Sequence, residues 1–304
     1  MQSLVKYIRL PRLLLAALLR EYGFWIPDKL YLQMLYYLRV GKRLSLTNPQ
    51  TFSEKLQWLK LYDRQPRYTM MVDKLAAKDY VASIIGQKYV IPTLGVWNKP
   101  EDIDFDILPQ QFVLKTTHGG GSGGVVVCRN KNALDGKVTE RILRRALKDN
   151  IYRAYREWPY KNVPRRILAE QYIEDTTHPD GDITDYKLYC FNGEPRFCQV
   201  IGSRHSDETI DFFDLEWQHQ PFCGLNPVAK PASKQPERPI HFMEMLSIAR
   251  SLAEGIPFCR IDLYDTNEQP YFGEVTFYPA SGMGVFRPAS YNEVLGHLIQ
   301  FPKR

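Results

Sequence analysis

The sequence predicts an α+β protein: helices first, then a chain dominated by paired strands. Two observations carry the strands. A glycine-rich stretch separates the apolar runs 112–114 and 125–127, which reads as strand, turn, strand. Asn192-Gly193 separates the runs 183–191 and 195–201, a strong hairpin signal. A third observation carries the helices. Apolar residues recur at helical spacing near the N-terminus, and Thr51-Phe-Ser-Glu54 is a capping box.

Composition narrows the class. The 304 residues suffice for one large domain or two joined lobes. A hydrophobic content of 44% supports a sizeable core. The five cysteines are odd in number and lack C-x-x-C spacing. They argue against a zinc ribbon or disulfide framework, and for buried thiols in a reducing cytoplasm. Net charge is +6, yet residues 137–166 alone carry ten basic residues against Glu140, Asp149 and Glu157. Tyr152, Tyr155, Trp158 and Tyr160 are interleaved with them. This stretch fits an anionic polymer or membrane surface, and equally a solvated helix face. No nucleic-acid motif accompanies it, so no nucleic-acid partner is expected.

Taken in order, residues 1–41 are apolar and basic. The run 10–19 is too short and too charged to span a bilayer. Lys6, Arg9, Arg12 and Arg20 flank Leu13, Leu14, Leu15, Leu18 and Leu19. That composition suits a membrane interface, or a helix packed on the body of the protein. A second helix is expected over 28–40, stopped by Gly41. A third follows the Thr51 box and carries Leu56, Trp58 and Leu59. Another is expected over 73–83, with Lys74 and Lys78 on one face. Residues 101–106 form an acidic surface loop containing D-x-D spacing. Beyond the glycine hairpin, a helix over 138–147 and a strand over 166–173 are expected, then an acidic loop over 174–182. A strand over 211–217, a loop over 227–239 and a helix over 241–254 follow. Strands over 256–264 and 271–277 flank a turn, and Ser290-Tyr-Asn-Glu293 is a second capping box.

Two clusters carry chemistry. In the first, Lys115 stands at the mouth of Gly119, Gly120, Gly121, Ser122, Gly123 and Gly124. Glycine admits positive φ and lets backbone N–H groups approach an anion. The loop is followed by strand residues, not by a helix or Gly-Lys-Ser/Thr, which excludes a dinucleotide fingerprint and a P-loop. A hairpin closing over nucleotide phosphates, or a plain surface hairpin, remains. In the second cluster, Arg260 and Asp262 share one strand face, as do Glu274 and Thr276 on the next strand. Antiparallel pairing would bring Asp262 and Glu274 side by side, where two carboxylates repel unless a cation joins them. Oxygen ligands suit magnesium, and Arg260 suits developing phosphoryl charge.

The order of these features resembles the ATP-grasp enzymes, and more closely the TupA-like ATP-grasp family of teichuronopeptide and bacterial polysaccharide biosynthesis. The segments that carry the likeness are NPQTFSEKLQWLKLYDR (48–64), DKLAAKDYV (73–81), VLKTTHGGGSGG (113–124), REWPY (156–160), ILAEQYIED (167–175), DYKLYCFNGEPR (185–196) and RIDLYDTNEQPYFGEVTFYPASGMGVF (260–286). The resemblance implies an ATP-grasp fold, with two α+β lobes clasping ATP. A helical segment over 1–66 would precede a grasp domain over 67–304, its lobes dividing near residue 170.

The resemblance also implies roles. Lys78 and Lys115 would hold ATP phosphates under the glycine loop. Glu170 and the main chain of Gln171, Tyr172 and Ile173 would form the hinge against adenine. Asp185 would lie near the ribose and Lys187 near the phosphates. Asp262, Glu274 and Thr276 would bind Mg²⁺, with Arg260 facing the reacting phosphoryl group. Thr276 stands where the family usually has Asn, and the α/β domain that usually precedes the lobes is replaced by helices.

The implied reaction is ATP-dependent carboxylate–amine ligation through an acylphosphate. The family context suggests an amino acid joined to a uronic acid of a bacterial surface polysaccharide or its lipid-linked precursor. A cytoplasmic enzyme with peripheral membrane contact through residues 1–40 would fit. The alternative is a glycosyltransferase of the same pathway using Asp102 and Asp104.

Overall fold

The computed structural model describes residues 11–174, 184–202, 208–226 and 230–302. Its helices are α1 (Pro11–Tyr22), α2 (Asp28–Val40), α3 (Phe52–Tyr62), α4 (Pro66–Val72), α5 (Ala76–Ile85), α6 (Gly136–Ala146), α7 (Ile151–Tyr155), α8 (Phe242–Ala253) and α9 (Tyr291–Leu298). A four-stranded antiparallel sheet has the order β1 (Thr93–Trp97), β4 (Ile167–Gln171), β2 (Phe112–Thr116), β3 (Val125–Cys128). A five-stranded antiparallel sheet has the order β10 (Pro270–Thr276), β9 (Phe258–Asp265), β5 (Asp185–Phe191), β6 (Glu194–Gly202), β7 (Thr209–Phe213). A short pair, β8 (Cys223–Gly224) and β11 (Phe286–Arg287), forms a separate two-stranded sheet.

Each sheet packs one face on a helical layer, and β5 is buried along its whole length. Leu114, Ile167 and Ala169 of the first sheet pack with Leu143 of α6. Leu188, Ile261, Leu263 and Val275 of the second join the largest core with residues of α3, α4, α5, α8 and α9. The opposite faces carry the polar residues discussed below. A third cluster packs Ala16 and Leu19 of α1 on Tyr31, Leu32 and Leu35 of α2. All five cysteines are buried free thiols.

Local signals account for most boundaries. Thr51 Oγ1 accepts from the Glu54 N–H at 3.2 Å while Glu54 accepts from the Thr51 N–H at 3.1 Å, so the capping box forms. Gly41 ends α2 at φ +80°. Asn192 and Gly193 both take positive φ, as the tight hairpin between β5 and β6 requires.

Three local expectations are corrected. The helix expected over 73–83 begins at Ala76, because the Asp73 carboxylate accepts the Leu75 N–H at 3.0 Å and turns the chain first. Lys74 therefore precedes the helix that carries Lys78. The strand expected over 211–217 runs from Thr209 to Phe213. Asp214 accepts from the N–H groups of Glu216 and Gln218 and closes a turn there. Ser290 makes no side-chain cap, since its own backbone is already helical; Asn292 instead accepts from Ser53 at the start of α3. The acidic loop over 174–182 lies, from residue 175 onward, outside the described residues, as do residues 1–10 and 227–229.

Candidate functional site

The polar face of the first sheet holds a buried triad. Val113 pairs with Glu170 and Lys115 with Leu168 across β2 and β4, so Lys115 and Glu170 share a face as diagonal neighbours. Glu170 Oε2 lies 2.5 Å from Lys115 Nζ, and Oε1 lies 2.6 Å from Lys78 Nζ. Lys78 also donates to the Ile91 carbonyl at 2.5 Å. Burial pushes the Glu170 carboxyl up, but the two ammonium groups outweigh it and hold it below the usual range. Burial pushes Lys78 down, with Glu170 offsetting part of that. Both groups end below their ordinary range, Glu170 because two cations outweigh burial, Lys78 because burial outweighs the single anion it shares with Lys115. The triad is an ion-paired unit.

The glycine loop continues from β2. Gly121 has φ +71°. A Cβ on Gly124 would lie 2.7 Å from that of Ala146, so this glycine lets the loop seat against α6. Ser122 and Gly123 belong to a short turn there, Ser122–Gly124. Beside the end of β4, Gln171 and Ile173, flanking Tyr172, line a recess of about 230 Å³ with Val90, Pro92 and Tyr271. The side chain of Glu170 is committed to the lysines instead.

The second sheet supplies the other wall. Lys187 pairs with Asp262 across β5 and β9, and Asp262 with Glu274 across β9 and β10. An extra residue in β10, Gly273, shifts the register between Phe272 and Glu274; this bulge sets Glu274 opposite Asp262. Lys187 Nζ lies 2.5 Å from Asp262 and 2.6 Å from Asp185. Arg260 Nε lies 2.6 Å from Asp262 Oδ1, and its terminal nitrogen donates to Asp262 Oδ2 at 2.7 Å and Thr276 Oγ1 at 3.1 Å. Burial pushes the Asp262 carboxyl up, against the pull of Arg260 and Lys187, and the net direction is upward. Glu274 goes the other way: burial raises it, but Lys74, Lys187 and Arg260 together lower it.

A magnesium ion uses one or two protein carboxylates and completes its shell with phosphate and water. Asp262 and Glu274, at paired positions, fit that donor set. Among the described residues no cluster of three or more His, Cys, Asp or Glu is placed to hold a metal. The Thr276 hydroxyl is engaged by Arg260.

Lys74 is the residue that sequence reasoning passed over. Its Nζ donates to the Gly119 carbonyl and lies 3.4 Å from Glu274 Oε2. It thus connects the glycine loop to the second sheet. The signal was present in D-K-x-x-x-K, but a helix over 73–83 gave Lys74 no separate direction. Asp102 and Asp104 lie exposed in their loop, and Asp104 accepts the Asp106 N–H at 2.9 Å. His241 and Glu244 face different partners, Asp265 and Tyr89.

The model of the family described as TupA-like ATPgrasp matches residues 54–300. No curated protein matches the sequence. Among solved structures, the D-alanine–D-alanine ligase from Bacillus anthracis complexed with ATP is similar at 15% identity and a TM-score of 0.39, over 68% of this chain and 54% of that one. The D-alanine–D-alanine ligase from Helicobacter pylori is similar at 14% identity and 0.42, over 82% and 69%. The ATP-grasp ligase PsnB complexed with minimal precursor, Mg and ADP is similar at 12% identity and 0.38, over 74% and 57%. The match thus spans little more than half of the Bacillus anthracis ligase. At these scores neither a residue nor a substrate transfers.

Proposed function

Because the chain belongs to the TupA-like ATP-grasp family, we propose that it is an ATP-dependent carboxylate–amine ligase whose nucleotide lies between the two sheets. The observation that carries this is the Lys78–Glu170–Lys115 triad and glycine loop on one sheet, joined through Lys74 to the Arg260–Asp262–Glu274 cluster on the other. Lys74, Lys78 and Lys115 would exchange their present partners for phosphate oxygens, and the loop N–H groups would cover them. The main chain of residues 171–173 and the adjoining recess would take the adenine, with Asp185 toward the ribose. Asp262 and Glu274 would hold Mg²⁺, which supplies Lewis-acid stabilisation of phosphoryl charge when bound. Lys187 and Arg260 would stabilise the transferring phosphoryl group.

In the first step a carboxylate oxygen bonds to the γ-phosphorus as the bond to ADP breaks, and ADP leaves with the electron pair. An amine nitrogen then bonds to the acyl carbon, phosphate departs, and the nitrogen loses a proton to give the amide. An amino acid and a uronic acid of a surface polysaccharide, or its lipid-linked precursor, suit the family context. The exposed basic residues of α6 and the segment after it suit an anionic acceptor. No helix among the described residues is long and apolar enough to cross a membrane. Leu14, Leu15, Leu18, Phe24 and Trp25 are exposed near Arg12 and Lys29, a surface that suits peripheral contact with anionic lipid.

The test is thermal stabilisation by MgATP beside a panel of sugar nucleotides, followed by ADP release with amino acids and hexuronates. Stabilisation by MgATP, lost in Lys115→Ala, and ADP release that needs a carboxylate are expected. Stabilisation by a sugar nucleotide alone would overturn the reading.

A further inference from the structure

The outer face of α6 is a stripe of positive charge. Lys137, Arg141 and Arg145 stand four residues apart on the helix. Lys148 follows in the tightened turn after it, where its N–H donates to the Arg145 carbonyl at 3.0 Å. At 3.6 residues per turn these four fall within about 80° of arc. All four are exposed, whereas Thr139, Leu143 and Ala146 on the opposite side are buried. The acid of this helix, Glu140, lies off the arc and shares Arg144 with Glu101. Asp135 caps the helix by accepting the Val138 N–H at 3.0 Å. No ion pair joins any of the four stripe residues to a carboxylate among the described residues.

The stripe runs to the nucleotide site. Arg165 donates to the Leu147 carbonyl at 3.1 Å and so extends the stripe past the helix end. The carbonyl of the next residue, Arg166, accepts the Thr117 N–H at 2.9 Å, at the root of the glycine loop. Ala146, in the last turn of α6, is the residue that a Cβ on Gly124 would meet at 2.7 Å. One end of the stripe therefore abuts the phosphate loop, and the other lies about 16 Å away along the helix axis.

This geometry suits a chain better than a single ion. Successive cations on the helix are about 6 Å apart along the axis. A lone sugar acid meets one or two of them, while a chain with an acid on every unit meets them all and releases its counterions on binding. Bases would need aromatic platforms, and α6 has no aromatic residue. The aromatic residues that follow it are turned inward: Tyr152 donates to Asp28 at 3.1 Å, and the Tyr155 ring lies 4.7 Å beneath Arg20. A membrane surface would need an apolar face beside the charge, which the exposed side of α6 lacks apart from Val138. The ligase reading calls for a carboxylate substrate, so the acids of the chain are carboxylates.

We propose that the Lys137–Arg141–Arg145–Lys148 stripe is a binding track for a linear polycarboxylate with one acid per unit, such as a polyuronate, and that it leads the chain to the mouth of the cleft. This deepens the ligase reading above and rests on it for the chemistry of the acids. The track supplies affinity that grows with chain length and takes no part in phosphoryl transfer.

The experiment measures the binding of fluorescent oligogalacturonides of one to eight units by anisotropy, for wild type and for Arg141→Gln/Arg145→Gln. ADP release from MgATP is followed with the same oligomers, with hydroxylamine as the amine. In wild type, Kd is expected to fall at least tenfold from the dimer to the octamer. The double variant is expected to weaken octamer binding at least tenfold and to raise KM for the octamer alike, with kcat and the MgATP thermal shift unchanged. Lys230→Gln/Lys234→Gln removes the same charge from another exposed segment and should leave octamer binding within twofold. A Kd independent of length would overturn the proposal, as would octamer binding that survives in the first variant or falls equally in the second. Tighter binding of a single-stranded oligonucleotide with eight phosphates would overturn it in favour of nucleic acid. Length-dependent binding that the first variant loses, with no ADP release on any oligomer, would uphold the track and sink the ligase reading alone.

Discussion

Lys74 and Glu274 meet at 3.4 Å across the cleft, and the same ammonium group donates to the Gly119 carbonyl. One side chain therefore couples the phosphate loop to the carboxylate that would hold the metal. Lys74→Ala is expected to lose most of the stabilisation that MgATP confers and to lower turnover at least 100-fold. The pair is partly solvent-exposed on the Glu274 side, so ligand-free stability should move by less than about 1 kcal/mol. Thermal melts with and without MgATP check both parts.

Glu274→Gln is the cleaner test of the metal assignment. Glu274 is about a third exposed, whereas Asp262 is buried between Arg260 and Lys187. Glu274→Gln should stay folded and lose turnover by roughly 1,000-fold or more, the range seen when a group acting on the transition state is removed. EDTA should abolish turnover of the wild type. Asp262→Asn should also be inactive, but at a cost in stability, since it leaves two cations without their anion.

Glu170 makes a pH prediction. Its carboxyl is held below the usual range in the folded chain, burial opposing and Lys115 and Lys78 prevailing. Its stabilising contribution is therefore complete above the unfolded carboxyl value of about 4.3. It is lost as pH falls through the lower folded value. Glu170→Gln should remove that acid-side loss and destabilise the protein by about 3–5 kcal/mol at neutral pH, because two buried ammonium groups lose their anion. Urea melts from pH 3 to 7 measure both.

Lys60 and Glu157 predict non-additivity. Burial pushes Lys60 down to about 8, with Glu157 offsetting part. Either Lys60→Met or Glu157→Met alone leaves one buried group uncompensated, at a cost of about 3–5 kcal/mol. The double variant should cost less than either single one. A double-mutant cycle in urea gives the coupling.

The N-terminal surface predicts lipid binding. Trp25 is 73% exposed, and Leu15 is 52% exposed. Co-sedimentation with vesicles containing phosphatidylglycerol should fall severalfold in Leu15→Ser/Trp25→Ser and with added salt. Equal recovery with purely zwitterionic vesicles would point away from an anionic surface.

Much of this was legible in the chain because the signals are local. Thr51 and Glu54, Asn192-Gly193, and the strands around Lys115 and Asp262 declare themselves within a few residues. Pairing of Asp262 with Glu274 followed from alternation once the strands were assumed adjacent. The bulge did not. Buried Phe272 and Val275 lie an odd number apart, so no single alternating pattern runs through β10, and only the register shows where the phase changes. Lys74 was hidden for another reason. What it does depends on Gly119 and Glu274, both far from it along the chain, and neither spacing nor propensity encodes that.

The cleft's charges are already matched to one another: Lys78 and Lys115 with Glu170, Lys187 and Arg260 with Asp262, Lys74 with Glu274. A free anion that captured these lysines would strand the carboxylates, and a free cation that captured the carboxylates would strand the lysines and Arg260. Only a visitor bearing both signs can replace both halves of every bond it breaks. Self-pairing would thus act as a filter, turning away inorganic phosphate and bare magnesium alike while admitting a metal–nucleotide complex.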